Sequence, residues 1–472
     1  MVKKSTEPNP IGWGQILQTT PERAPAYSPS SPVEGVRQLG FEGETGDGRM
    51  NGAVAVETLG CRLNQAESEA MATALVQEGY RLVSPSDGAD VYILNTCTVT
   101  HVADRKCRHL LRLARRRNPQ ALIIAVGCYP HRAPEELGAM DEVDIVLGNE
   151  EKDAVLDIVR GRGASGPVSA MGPSAVLRTR SMVKVQEGCS QFCSYCIVPF
   201  VRGRERSRPV GEVVSEVGDR VSAGYREATL TGTEIGAYQP SLVTLVHRIL
   251  AETRIARLRL SSLRPGDLTP QLLSLWDDDR LCPHVHLPLQ SGSDDVLRRM
   301  GRPYSVAEYQ RAVSAVREAV ADVAITTDVV VGFPGETDEE FEESYRFCRM
   351  MGFAGIHVFS YSDRPGTAAA TMPGKVSSRV KGARSGRMLE LAGESARRFR
   401  QQFIGRSMTV LWEREIEEGV WTGLTENYIR VLGRSHEPLR NALTPAAPSG
   451  WRNGHLWTTP EPSSARVRGA RR

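Results

Sequence analysis

Apolar runs alternate with amphipathic stretches over the first regularly patterned part of the chain, residues 52–163. Four short runs read as buried strands: AVAVETLG, DVYILNTC, ALIIAVGC and VDIVLGNE. Between them, stretches such as QAESEAMATALVQEGY have the period of an amphipathic helix. This rhythm predicts a parallel sheet with crossover helices.

A second α/β pattern is predicted over residues 181–403, after a Gly- and Ser-rich linker over 164–180. Its six expected strands are MVKVQEG, ATLTG, RLRLSS, HVHLPLQ, AITTDVVVGF and GIHVFSYS. They are spaced by roughly 27–46 residues, as repeated βα units are. Six units predict an incomplete barrel rather than a closed eight-stranded one, with a closing helix over 376–402.

Shorter runs follow in residues 404–462, where SMTVLWE, GVWTGLT and NYIRVLG predict a small antiparallel β-barrel. Residues 1–51 and the basic tail 463–472 lack periodicity, and we predict that both are disordered. The expected fold class is therefore multidomain α/β: a parallel α/β unit, a partial (β/α)6 barrel and a small β-barrel.

The net charge, the length of the apolar runs and the number of cysteines limit the classes of protein to which the chain can belong. The 472 residues include 59 Lys plus Arg and 56 Asp plus Glu, a net charge of +3, so any nucleic-acid surface must be a local patch. No run approaches eighteen apolar residues, which predicts no membrane span, and the N-terminus lacks a secretory signal's apolar core. Nine cysteines in so long a chain predict reduced, metal-binding thiols in the cytoplasm rather than a disulfide scaffold.

Three cysteines lie close together in EGCSQFCSYCIVP, at Cys189, Cys193 and Cys196. So short a loop can bring three thiolates to one iron–sulfur cluster. No fourth cysteine follows, which leaves one iron open to a substrate or cofactor. The alternatives, a structural zinc site or inert cysteines, are disfavoured because no further Cys or His ligand lies in the loop.

Three other cysteines, Cys61, Cys97 and Cys128, each stand just past the end of a predicted strand. The carboxyl ends of parallel strands share one edge of a sheet, so these thiols are expected to meet there, again without a fourth. Buried structural cysteines are the alternative interpretation.

The CxxxCxxC spacing, with Tyr195 before its last cysteine, resembles the signature of the radical S-adenosylmethionine (SAM) superfamily. The resemblance implies a partial six-unit barrel and a cluster whose open iron binds SAM. Loops after barrel strands are expected to line the SAM pocket. The cofactor-binding candidates there, with ordinary turns as the alternative for the glycines, are Gly232, Glu234, Ser262, Gln290, Gly332 and Gly335.

TLGCRLNQAESE and NTCTVTHVADRK resemble the N-terminal domain of the methylthiotransferase family, and the resemblance covers roughly residues 52–462. It extends through HLPLQSGSDDVLRRM, TTDVVVGFPGETDEEF and YSDRPGTAAATMPG. It implies two [4Fe–4S] clusters and SAM as cofactors, with the sulfur-carrying cluster on Cys61, Cys97 and Cys128. It also implies a sulfur source and an electron donor such as flavodoxin or ferredoxin.

Three substrates are known in that family: isopentenyladenosine in tRNA, threonylcarbamoyladenosine in tRNA, and an aspartate of a ribosomal protein. The N-terminal motifs most resemble the threonylcarbamoyladenosine type, which modifies adenine carbon 2 at position 37, beside the anticodon. The other two substrates remain alternatives, as does a non-catalytic iron–sulfur protein that binds RNA or transfers electrons. Cys107 is predicted to be a non-ligand thiol, and Cys282 and Cys348 core residues.

RNA contacts are expected at two places. Helix 101–117 carries seven Lys or Arg and one acid, which suits phosphate contacts; a solvated basic face is the alternative. The C-terminal barrel resembles a TRAM domain, a small RNA-binding module, and Tyr428 and Arg430 are expected to stack on or pair with nucleotides there. Packing within the barrel is the alternative for Tyr428. The RNA-binding candidates are Arg105, Arg112, Arg115, Arg116, Tyr428 and Arg430.

Overall fold

A computed structural model of the chain describes residues 51–161 and 179–460. The disorder predicted for residues 1–51 falls outside these described residues except at Asn51, where the prediction is wrong because Asn51 begins the first strand. The predicted disorder of the tail and most of the predicted linker also lie outside them. Every helix in the described ranges is too short or too polar to cross a lipid bilayer.

The N-terminal unit is a five-stranded parallel sheet in the order β2-β1-β3-β4-β5, as the alternating pattern predicts. Two of its three interior strands, β3 and β4, are buried at every position because helices cover both faces. The three-residue edge strand β2 was too short to predict. The strands are β1 (Asn51–Thr58), β2 (Tyr80–Leu82), β3 (Val91–Thr96), β4 (Leu122–Gly127) and β5 (Ile145–Leu147). The helices are α1 (Arg62–Gln77), α2 (His101–Arg117), α3 (Cys128–Arg132), α4 (Pro134–Gly138) and α5 (Ala154–Arg160).

The second unit contains the six predicted strands, in two parallel three-stranded sheets. The sheets meet where Ser262 bridges His286, so they form one open, curved wall rather than a closed barrel. The strands are β6 (Arg180–Lys184), β7 (Gln186–Glu187), β8 (Arg206–Ser207), β9 (Glu227–Thr231), β10 (Arg257–Leu260), β11 (His284–His286), β12 (Ala324–Val331) and β13 (Gly355–Ser360). The short strands β7 and β8 pair as a separate ribbon.

Several helices of this unit begin where the sequence supplies capping groups. Ser305 with Glu308, and Thr337 with Glu340, form reciprocal capping boxes at the starts of α11 and α12. Gly301 ends α10 in the left-handed conformation. The helices are α6 (Val198–Arg202), α7 (Val210–Ser222), α8 (Leu242–Glu252), α9 (Pro270–Leu273), α10 (Asp294–Met300), α11 (Val306–Ala319), α12 (Asp338–Met351), α13 (Ala368–Thr371) and the predicted closing helix α14 (Ser378–Gln401).

The C-terminal unit is a closed five-stranded barrel in the order β14-β15-β16-β18-β17. Four of its pairings are antiparallel, but β16 and β18 pair in parallel, which the sequence did not predict. Trp412 fills the interior, and its indole N–H donates to Thr444 Oγ1 at 2.9 Å. The strands are β14 (Met408–Glu417), β15 (Val420–Thr425), β16 (Arg430–Arg434), β17 (Leu443–Arg452) and β18 (His455–Pro460).

Buried ion pairs join the N-terminal unit to the partial barrel. Asp104 of α2 accepts hydrogen bonds from both Nη atoms of Arg364, at 2.7 and 2.8 Å, and from Arg132 at 3.1 Å. The side chains of Asp104 and Arg364 are only 4% and 1% exposed. A buried carboxylate shared by two guanidinium groups is favourable only while all three partners are present.

We therefore expect Asp104→Asn to destabilise the protein by about 3–5 kcal/mol, because two largely buried arginines lose their counter-charge. The measurement is the shift in free energy of unfolding from urea titration. Asp295→Asn is the matched control, because Asp295 pairs with Arg298 on the surface, where their side chains are 59% and 73% exposed. The control should cost less than about 1 kcal/mol. Equal shifts for both variants would contradict this view of the joint between the units.

Candidate active site

The three N-terminal cysteines lie at one edge of the first sheet, as the strand pattern predicts. Cys61 follows β1 as the N-cap of α1, Cys97 follows β3, and Cys128 begins α3 after β4. Gly60 lies directly against the second cysteine: a Cβ on Gly60 would stand 2.9 Å from Cys97 Cβ. Burial raises the pKa of Cys97 to about 12, and the nearby Cys128 and Cys61 add to that rise. The structure therefore brings these three thiols, the N-terminal trio, into one neighbourhood.

Two amide side chains position this trio. Asn64 Oδ1 accepts a hydrogen bond from Cys61 Sγ at 3.2 Å, while Asn64 Nδ2 donates to Thr96 O at 2.7 Å. Asn149 Nδ2 lies 3.6 Å from Cys128 Sγ and donates to Val201 O at 2.5 Å. Neither asparagine was predicted as a site residue, although Asn64 lies within the TLGCRLN motif, one helical turn after Cys61.

The second trio, Cys189, Cys193 and Cys196, occupies a loop that returns on itself after β7. The backbone N–H of Cys189 donates to Gly203 O, and that of Cys196 to Cys193 O, both at 3.0 Å. Gly188 has φ +76°, and a Cβ there would lie 1.9 Å from Arg204 O. Only glycine allows the two ends of the loop to approach so closely.

Charged side chains surround the second trio. Arg302 Nη1 donates to Cys193 Sγ at 3.4 Å, and Cys189 Sγ donates to Glu234 Oε2 at 3.2 Å. Glu234, a predicted cofactor-binding residue, also forms an ion pair with Arg264. Burial raises the pKa of Cys196 to about 11, and Cys193 adds to this effect.

Both trios fit an iron–sulfur cluster. With raised pKa values, Cys97 and Cys196 are neutral thiols at pH 7 unless a cation displaces their protons. A metal does this, because a thiol that coordinates a metal is deprotonated. Three sulfur donors, with a guanidinium beside Cys193 to balance negative charge, form a soft donor set suited to iron–sulfur chemistry.

The segment that follows the second trio packs against the N-terminal trio at a joint between the units. Cys128 packs against Ile197 and Val201, and Ile197 directly follows Cys196. Arg202, at the end of α6, donates to Glu67 at 2.8 and 3.1 Å and to Asn64 at 2.9 Å. The joint therefore links the helix that begins after Cys61 to the segment that follows Cys196.

The other cofactor-binding candidates follow the carboxyl ends of β9 to β12, the edge that also bears the second trio. Ser262 bridges His286, and Gln290, with φ +70°, bridges Val329. The backbone N–H of Gly332 donates to Glu336 Oε2 at 2.6 Å. The tight surroundings of Gly232 and the positive φ of Gly335 agree with roles in turns. A SAM contact at these positions stays a prediction.

The RNA-binding candidates on α2 differ in their solvent exposure and in the partners that they already have within the chain. Arg105 and Arg116 are exposed on α2, and Arg112 lies 3.7 Å from Glu142. Arg115, by contrast, donates to Asp144 at 2.6 Å and to three backbone carbonyls, so it already has a structural role.

The two C-terminal candidates, Tyr428 and Arg430, also have partners within the chain. Arg430 donates to Glu413 Oε2 at 2.7 Å and to Thr422. Tyr428 stacks on His284 of the partial barrel, with ring centroids 4.2 Å apart. The interpretation of Tyr428 as a base-stacking residue is therefore corrected: its ring is occupied within the chain. The remaining cysteines Cys107, Cys282 and Cys348 are buried in hydrophobic cores, and a non-ligand role for Cys107 stays a prediction.

A polar cluster inside the partial barrel was not predicted. His286 Nε2 and His357 Nδ1 lie 3.3 and 3.0 Å from the two oxygens of Asp328. Burial would raise the pKa of Asp328, but hydrogen bonds from the two imidazoles hold it well below its usual range. The HVH alternation places His284 and His286 on one face, and pairing sets His357 opposite Asp328. Only the strand register brings these side chains together, and the sequence does not reveal that register.

Two family models match the chain. The uncharacterized protein family UPF0004 matches residues 53–148, which include the N-terminal trio, and the radical SAM superfamily matches residues 183–348, which include the second trio.

Curated relatives match most of the chain. The threonylcarbamoyladenosine tRNA methylthiotransferase MtaB of Bacillus subtilis (strain 168) is 36% identical over 411 residues, which are 82% of this chain and 91% of that protein. MtaB of Thermotoga maritima is 37% identical over 393 residues, 80% of this chain and 90% of that protein. The tRNA-2-methylthio-N(6)-dimethylallyladenosine synthase of Desulfotalea psychrophila is 35% identical over 416 residues, 81% of this chain and 93% of that protein.

We expect each trio to hold its own cluster, so alanine at Cys189, Cys193 and Cys196 should remove about half of the iron, and alanine at Cys61, Cys97 and Cys128 the other half. Anaerobically reconstituted wild type should carry on the order of eight irons if both clusters contain four. Iron and sulfide assays measure this. Cys107→Ala is the matched control, because Cys107 lies in the N-terminal core, and it should keep all the iron. Loss of all iron from either triple variant would contradict two independent sites.

Proposed function

The chain belongs to the tRNA methylthiotransferase family of radical SAM enzymes, and we propose that it attaches a methylthio group to carbon 2 of N6-threonylcarbamoyladenosine at position 37 of tRNA. The cofactors of such an enzyme are two [4Fe–4S] clusters and SAM. When bound, they supply the radical that removes a hydrogen atom, the methyl group and the sulfur to be inserted.

The observation that carries the proposal is the pair of three-cysteine sites whose adjoining segments are joined by the Arg202–Glu67 ion pair and by the packing of Cys128 on Ile197. We assign SAM cleavage to the cluster on Cys189, Cys193 and Cys196. We assign the sulfur to the cluster on the N-terminal trio. A protein that only transfers electrons has no need of two sites that each lack a fourth cysteine.

The chain's own residues prepare the site in three ways. Arg302, beside Cys193, offsets the negative charge of a thiolate-bound cluster. Asn64 and Asn149 orient the thiols of Cys61 and Cys128. Ile197 and Val201 pack on the buried side chain of Cys128 and shield that thiol from water.

The choice of nucleoside rests on the N-terminal motifs rather than on overall identity, because the MtaB relatives and the dimethylallyladenosine synthase are almost equally similar. Dimethylallyladenosine in tRNA is therefore the second candidate substrate. Methylthiolation of a ribosomal protein is a weaker one. The proposal also requires a sulfur source and an electron donor such as flavodoxin or ferredoxin, and it places the enzyme in the cytoplasm with its tRNA.

The proposal is tested with reconstituted enzyme, SAM, a reductant and tRNA that carries either threonylcarbamoyladenosine or dimethylallyladenosine. Mass spectrometry of the digested tRNA should detect the methylthio group on the first nucleoside. Alanine at Cys61, Cys97 and Cys128 should abolish this product but retain reductive cleavage of SAM to 5′-deoxyadenosine, because the radical-forming cluster lies on the other trio. Product from that variant would contradict the assignment of the sulfur site. Product only on dimethylallyladenosine would contradict the choice of substrate.

The basic face of α2 generates a prediction about tRNA binding. Changing Arg105, Arg112 and Arg116 to Gln should weaken binding and reduce the log–log salt dependence by up to about one unit per lost phosphate contact. Arg115 is left intact because it holds Asp144. The measurement is tRNA affinity across a salt series.

The control for this prediction removes the same charge elsewhere. Arg298, Arg311 and Arg379 are exposed on the partial barrel, and their change to Gln should leave the salt slope at the wild-type value. Equal salt slopes for the two triple variants would indicate that the basic face of α2 is a solvated surface that does not contact tRNA.

A further inference from the structure

Arg62 lies beside the sulfur-bearing site and has one hydrogen-bond partner that the structure identifies. It is the first residue of α1, directly after Cys61, and it is partly exposed. Its Nη2 atom donates to the hydroxyl of Tyr428 at 3.1 Å, and its guanidinium stands 5.6 Å from the centre of that ring. The Tyr428 hydroxyl accepts a hydrogen bond from one of the five N–H groups of the Arg62 guanidinium. No carboxylate is among the identified partners of Arg62.

Three other arginines near the cysteine sites have acidic partners, whereas Arg302 donates to Cys193 and Tyr304. Arg202 pairs with Glu67, Arg264 with Glu234, and Arg364 with Asp104. Within residues 51–161 and 179–460, no carboxylate lies within 4.0 Å of the Arg62 guanidinium. A guanidinium left without a counter-charge in a partly buried site attracts an anion from outside the chain.

The contacts of Tyr428 place Arg62 at the interior of the partial barrel. The ring of Tyr428 stacks on His284, whose Nε2 lies 3.1 Å from Thr326 Oγ1. The same hydroxyl lies 2.9 Å from Nδ1 of His286. A continuous set of contacts therefore runs from Cys61, through Arg62 and Tyr428, to the polar cluster inside the barrel.

Tyr428 adopts a backbone conformation that bulky residues avoid. Its φ is +65°, which is uncommon for a residue other than glycine, asparagine or aspartate. Such a strained conformation persists where surrounding contacts impose it, often at functional sites. Here the imposed conformation presents the tyrosine hydroxyl to Arg62, so Tyr428 acts as a positioning residue.

We propose that Arg62 binds the carboxylate of the threonylcarbamoyl group and thereby selects this nucleoside, an inference that rests on the proposed function. The N6 substituent of the base ends in a carboxylate, and a guanidinium binds that group through two parallel hydrogen bonds. A dimethylallyl substituent offers Arg62 no acceptor. Because Arg62 follows Cys61, the anchored base lies beside the trio that bears the sulfur.

The experiment uses the reconstituted holoenzyme and two tRNAs, one with threonylcarbamoyladenosine and one with the same group as its neutral carboxamide. For wild type, kcat/KM should be roughly 10- to 100-fold lower on the carboxamide, since a hydrogen-bonded charge contributes about 1.5–3 kcal/mol. Arg62→Gln should show a similar loss on the native substrate, mostly in KM. For Arg62→Gln, the ratio of kcat/KM on the native tRNA to kcat/KM on the carboxamide tRNA should fall close to one.

Two further variants keep the test decisive. Arg62→Lys retains the charge without the planar fork and should keep part of the preference for the carboxylate. Arg81→Gln, at an exposed position on β2, should behave as wild type does. Iron content is measured for each variant, and Arg62→Lys carries the test if Arg62→Gln loses its clusters.

The two possible failures are distinguishable. Full preference for the carboxylate in both Arg62→Gln and Arg62→Lys would overturn the role of Arg62 while leaving the proposed function intact. A wild-type enzyme that modifies no threonylcarbamoyladenosine tRNA would overturn the proposed function itself.

Discussion

The hydrogen-bonded ion pair between Arg202 and Glu67 fixes the relation between the two cysteine sites. The side chains are 3% and 7% exposed, so each charge would cost several kcal/mol if it lost its partner. Burial raises the pKa of Glu67, but Arg202, Lys152 and Lys184 outweigh it and keep the carboxyl ionised. Because Glu67 lies on the helix after Cys61 and Arg202 lies just after Cys196, the units cannot slide apart without exposing this pair.

Local patterns predicted the elements that carry the cysteines. The six barrel strands and the edge that gathers Cys61, Cys97 and Cys128 follow from hydrophobic runs and from the rule that parallel strands end on one side. The strands β17 and β18 were missed. Two prolines, Pro445 and Pro448, interrupt β17 and mask its alternation, although a strand of a small barrel accommodates them.

Side-chain partners between distant segments could not be predicted in this way. His286, Asp328 and His357 come together through strand register, and Tyr428 meets His284 only because the C-terminal barrel docks on the partial one. Buried Arg257 and Arg259 hold that docking by donating to the carbonyls of residues 424–426. Sequence spacing carries no information about such contacts. It therefore led to a prediction of RNA stacking for Tyr428, whose ring stacks on His284 within the chain.

The three units therefore meet through one set of side-chain contacts, and each contributes a different kind of group. The N-terminal unit supplies Arg62 beside Cys61, the partial barrel supplies the imidazoles, and the C-terminal barrel supplies Tyr428. An arginine held by a neutral hydroxyl instead of a carboxylate keeps its charge available, and its orientation is set before a ligand arrives. If the ligand is an anionic group on the base, anchoring it there holds the base beside the sulfur site at little further entropic cost. Selection of the nucleoside and alignment for the reaction then depend on the same contact.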